Sequence, residues 1–132
     1  MDKPEREKTA RFAKEKINDF LDTEGHTSAL MLASIYVNLR LRTLLTEHIS
    51  PTKSKWRTVS NKLDIGFNRL LSLCKEFNLL YGFNTEPLKR LYKKRCKIAH
   101  ESELWKKILP EDKEEIVSLC ESAIEFLETT VG

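Results

Sequence analysis

Between Ala29 and His48 the sequence ALMLASIYVNLRLRTLLTEH keeps one apolar stripe in helical step over more length than a strand has, which narrows the folds open to this chain. Leu30, Ala33, Val37, Leu41, Leu44 and Leu45 recur at steps of three and four. Val37, Leu39 and Leu41 alternate with Asn38, Arg40 and Arg42, a period-two pattern that by itself would suit a strand. Length decides for a helix, because strands rarely exceed about ten residues. Thr27 or Ser28 can cap it. Met31, Ile35 and Leu39 lie off the stripe, so the helix is expected to be covered on more than one side.

The remaining chain reads as helices joined by short connections. Residues 4–22 form a charged first helix with Phe12, Ala13, Ile17, Phe20 and Leu21 on its apolar side, a helix that could be peripheral to the core. Gly25 supplies free φ in the turn that follows. Ser50–Thr58, SPTKSKWRT, is expected to be a basic loop, with Pro51 stopping the long helix. Ser60 then caps a third helix carrying Leu63, Phe67, Leu70, Leu71, Cys74 and Phe77, inside which Gly66 suggests close helix packing. Tyr81-Gly82-Phe83-Asn84 turns the chain into a helix capped by Thr85. After His100 the pattern is irregular, with one helical turn around Leu104–Leu109. Asp112 and Glu115 make a capping box for a last helix that buries Ile116, Leu119, Cys120, Ala123 and Leu127. The expectation is an all-α, mostly antiparallel bundle of four to five helices, a single domain over residues 1–132.

Charge and cysteine usage bound the function. The 132 residues carry a formal net charge of +3, too small to require a nucleic-acid partner, so local clustering must decide. Asn38, Arg40 and Arg42 interrupt the most apolar run, which argues against a membrane partner. Cys74, Cys96 and Cys120 are odd in number and lack ligand spacing from the histidines, so reduced thiols, a cytoplasmic location and no metal or other cofactor are expected.

Chemistry concentrates in Thr85–Glu101, TEPLKRLYKKRCKIAHE. Leu88, Leu91, Tyr92 and Ala99 share one helix face, while Lys89, Arg90, Lys93, Lys94 and Lys97 lie largely on the other. Arg95 falls within the apolar stripe, where a guanidinium needs a carboxylate, a phosphate or water. Read from residue types alone, Arg95 and His100 are an arginine tying helix ends together and a histidine at a helix C-terminus.

The run Arg95-Cys96-Lys97-Ile98-Ala99-His100 also resembles the HEPN superfamily, helical domains with an Arg, a spacer of four to six residues and a His. The helix order over roughly Ser28 to Val131 is similar too, and the layout resembles the mannitol operon repressor group. Cys96 departs from the polar residue, commonly Asn, that follows the arginine in that family. What the resemblance implies is a metal-independent endoribonuclease of the toxin or defence type. Arg95 and His100 would be catalytic, facing a second copy across a homodimer groove, with RNA as substrate and a nucleotidyltransferase-like antitoxin as partner. The alternative is a non-catalytic HEPN-like module for protein interaction or transcription regulation.

Around that pair, Lys94, Lys97, Tyr92 and Cys96 are candidate substrate-binding residues, though for Tyr92 a place in the core is the favoured reading. The cations of this helix would raise the local concentration of RNA beside a phosphate-handling groove. Trp56, set among Lys53, Lys55 and Arg57, either stacks an unpaired base or anchors its loop.

Overall fold

Asp2 begins the first helix by accepting the Glu5 N–H on its carboxylate at 3.1 Å, and Pro4 fits the first turn because its missing N–H has no helical partner there. The computed structural model describes residues 2–50, 52–63, 65–100 and 110–132, position 100 by its backbone only. Among them the elements are α1 (Lys3–Asp22), α2 (His26–Ile49), a 3-10 turn (Lys53–Lys55), α3 (Trp56–Lys62), α4 (Phe67–Glu76), α5 (Glu86–His100) and α6 (Pro110–Thr129). No strand occurs among the described residues, so the fold is all-α as the long apolar stripe requires.

The centre of the bundle is α2, which packs against α1, α3, α4, α5 and α6. It buries Leu30, Ala33, Val37, Leu41, Leu44 and Leu45, the predicted stripe. Facing them are Ile17 of α1, Leu70 of α4, Leu88 and Leu91 of α5, and Ile116 and Leu127 of α6. Each such side chain contributes about 1.5–3 kcal/mol relative to exposure. The first helix belongs to this core through Ala10, Ala13 and Ile17, but Phe12 and Phe20, expected on its buried side, are 48% and 38% exposed. Ile35 and Leu39 of α2 are likewise exposed, at 60% and 38%, so the described residues leave that side of α2 uncovered.

Two turns work differently from the sequence expectation. In the α1–α2 connection it is Glu24, at φ 62°, that takes the left-handed conformation. Gly25 is needed for space: its amide donates to the Phe20 carbonyl at 2.7 Å, and an added Cβ would lie 3.1 Å from that oxygen. The expected single helix from Ser60 to Phe77 is two helices. Arg42 of α2 donates to the carbonyls of Ser60 and Leu63, taking the acceptors at the end of α3. Gly66 then sits at the N-cap of α4, not in a helix interior, and an added Cβ there meets nothing within 4 Å, so close packing is not its reason.

Part of the expected basic loop is helical, because α3 begins at Trp56. The Trp56 indole N–H donates to the Ser50 carbonyl at 2.6 Å and ties α3 to the end of α2. The last helix starts at Pro110, two residues before the expected capping box, and Asp112 lies within its first turn. The expected stop at Pro51 and the helical turn at Leu104–Leu109 lie outside the described residues.

Candidate functional site

The chain enters α5 with Asn84 Oδ1 accepting the Glu86 N–H at 3.1 Å, while the predicted cap, Thr85, is buried and offers its carbonyl to Lys89. From this start the helix sorts its residues by angle. Leu88, Leu91 and Ile98 are buried, and the Tyr92 ring stacks on Phe67 of α4 with centroids 4.5 Å apart and planes 10° apart. Tyr92 therefore packs on α4 and is half-buried.

Arg95 and Tyr92 line an open cleft of about 340 Å³ with Ser34, Ile35 and Asn38 of α2 and with Gly66 and Phe67 at the start of α4. That volume is at the small end for ligand sites. Arg95 is half-buried, and among the described residues no carboxylate pairs with it. Ser34 donates its hydroxyl to the Leu30 carbonyl at 3.0 Å, so its oxygen keeps acceptor capacity only. Asn38 and Ser34 were not singled out as site residues from sequence. Asn38 did stand out as a polar interruption of an apolar run, and that was the available signal.

The neighbouring Cys96 thiol, and to a lesser degree burial, push the Tyr92 phenol above its usual pKa, and the Arg95 charge opposes the rise. Lys94 turns the other way. Only 11% of its side chain is exposed, and its ammonium pairs with Asp112 at 2.5 Å and Glu115 at 3.0 Å, both on α6. Burial opposes its charge, but the two carboxylates raise its pKa in sum. This lysine joins α5 to α6, whereas Lys97 is exposed on the outward face with Lys89, Arg90 and Lys93.

The helix continues through His100. At 3.6 residues per turn, positions 95 and 100 are about 140° apart in register, so a regular helix does not converge them within one chain. Lys89, Arg90, Lys93 and Lys97 are also about 120° to 160° from Arg95 in register. The basic face and the Arg95 cleft are thus on different sides of α5.

Fold and cleft together define an all-α bundle in which an arginine without a carboxylate partner among the described residues lines a groove between helices. No family model, curated protein or solved structure matches this chain. Among the described residues no helix is long and apolar enough to cross a membrane, and no three His, Cys, Asp or Glu side chains cluster at metal-binding range.

Proposed function

We propose that this chain is a HEPN-like, metal-independent endoribonuclease whose site is shared between two copies. The observation that carries the reading is Arg95, a permanently charged guanidinium that lines a cleft with no carboxylate partner among the described residues. A phosphodiester supplies the missing anion, and the planar fork of arginine matches two phosphate oxygens. His100, by the family resemblance, handles protons: a histidine removes the proton of the RNA 2′-OH, that oxygen attacks the adjacent phosphorus, and the 5′-oxygen leaves after protonation. The products are a cyclic phosphate and a 5′-hydroxyl end. The register of about 140° between positions 95 and 100 supports pairing Arg95 of one copy with His100 of another. Ile35 on the cleft wall and Leu39 one turn on provide exposed apolar surface that a second copy would cover. A nucleotidyltransferase-like antitoxin is the partner that the same resemblance suggests.

The test is mixing. Arg95→Ala and His100→Ala proteins are each expected to be inactive on RNA, in EDTA as without it. After subunit exchange, verified by mass spectrometry of tagged chains, about half of the dimers are mixed and each has one complete site, so about a quarter of wild-type cleavage returns. Verified exchange without recovery excludes the split site. Loss of wild-type cleavage in EDTA, restored by a divalent ion, removes the metal-free mechanism.

The second reading is a non-catalytic HEPN-like interaction or regulatory module. It is favoured by Cys96, which follows Arg95 where the family commonly has Asn. Wild-type protein that assembles with a partner and leaves RNA intact selects it.

A further inference from the structure

We infer that the outward face of α5 is a binding track for the phosphodiester backbone of a single-stranded nucleic acid, separate from the Arg95 cleft. Lys89, Arg90, Lys93 and Lys97 are all exposed, and the only carboxylate paired with any of them among the described residues is Glu86, 3.3 Å from Lys89. The helix has sorted its cations: Lys94 is neutralised by two carboxylates of α6, Lys89 shares an exposed pair with Glu86, and Arg90, Lys93 and Lys97 have no carboxylate partner among the described residues. Lys89, Lys93 and Lys97 follow at four-residue steps, which places them about 6 Å apart along the axis, close to one nucleotide step of a strand. The register of position 100 lies about 20° from those of Lys89 and Lys93, so the row leads toward the C-terminal end of α5.

Charge and surface chemistry select this occupant. A helix that lies on a membrane needs an apolar face to insert, and none of the exposed large hydrophobic residues is on α5. A protein-docking patch is expected to have an apolar centre, which this face lacks. The outward side of α6 is acidic, with Glu111, Glu114, Glu121, Glu125 and Glu128 exposed. A second copy that set its α6 on α5 would have to present this acidic face in rigid register with the row of cations. A flexible polyanion meets no such constraint, and its counterions are released on binding.

The experiment uses the full chain carrying Arg95→Ala, so that the cleft and cleavage do not contribute and a failure of the ribonuclease reading leaves the result intact. A fluorescein-labelled oligouridylate is titrated at several salt concentrations. Four phosphate contacts predict that log K falls with log salt at a slope of about −3, from about −0.7 per contact on a single strand. Adding Lys93→Gln and Lys97→Gln reduces the magnitude of that slope by about 1.4. The same charge removed from α1 by Lys8→Gln and Lys16→Gln leaves it within 0.3, about half of one contact. All four lysines are exposed, and circular dichroism checks that each variant remains helical. Absence of binding overturns the track, as does a slope equally changed by the α1 pair. Equal lysine-dependent binding to polyglutamate or to phosphatidylserine vesicles overturns the nucleic-acid assignment, and so does low-salt self-association that the α5 substitutions abolish while oligouridylate binding is unaffected.

Discussion

The Arg40 guanidinium on α2 donates to the Leu127 carbonyl near the end of α6 at 2.6 Å, joining two helices 87 residues apart in sequence. The same side chain reaches the Thr130 hydroxyl at 2.9 Å and the Arg6 carbonyl of α1 at 3.0 Å, and it is only 1% exposed. Burial, with the nearby Arg6 charge, lowers its pKa to about 10, against the opposing effect of Glu47, so it is charged at neutral pH. Arg40→Met keeps much of the volume and removes three donors from acceptors at the meeting point of α1, α2 and α6. We expect a loss of about 3 kcal/mol in urea unfolding. An unchanged or higher stability shows that burying the charge costs as much as its bonds return.

Lys94 provides the pH test. Its folded-state pKa is raised above the usual 10.5, so its stabilising contribution is complete below about 10.5 and is lost as pH rises through the folded value. Lys94→Met is expected to lower stability by about 1–2 kcal/mol at neutral pH, between the values for exposed and buried pairs. The difference between wild type and variant should hold to about pH 10 and shrink above it. Urea unfolding of both proteins across that range measures this, and a difference that grows with alkali excludes the linkage.

Gly66 caps α4 without a side-chain hydrogen bond, at φ −75° and ψ 172°, a conformation open to any residue. Gly66→Ser adds an acceptor for the first-turn amides and restricts the unfolded chain. A gain of about 0.5–1 kcal/mol is expected in thermal or urea unfolding. Destabilisation would mean that the cleft rim at Gly66 cannot accept a Cβ.

The three thiols should separate by reactivity. Burial pushes Cys74 and Cys120 up to about 12, with Glu121 adding to the effect at Cys120, whereas Cys96 is half-buried. Native protein treated with iodoacetamide at about pH 8 should take one adduct, at Cys96, and three after urea. Peptide mass spectrometry locates it, and prompt native labelling of Cys74 or Cys120 contradicts this order.

Helical class was legible because it is local. The three-and-four spacing of Leu30, Ala33, Val37, Leu41 and Leu45 recurs whatever packs around it, and the buried positions of α2 follow it. Boundaries were less legible where another helix intervenes. Ser60–Phe77 keeps a continuous apolar spacing, and the end of α3 at Lys62 coincides with the contact of Arg42 with the carbonyl of Leu63, 21 residues along the chain.

The sequence by itself determined that α5 carries an apolar stripe, five cations largely opposite it and an arginine within the stripe, since residue order and helical pitch settle the angles. Only the tertiary structure decided what those cations do. Asp112 and Glu115 stand 18 and 21 positions from Lys94, and α6 packing brings them to its ammonium, while Arg95 meets Ser34 and Asn38 of α2 across a cleft. Charge pairing depends on distance in space, and a one-dimensional pattern holds no distances between helices.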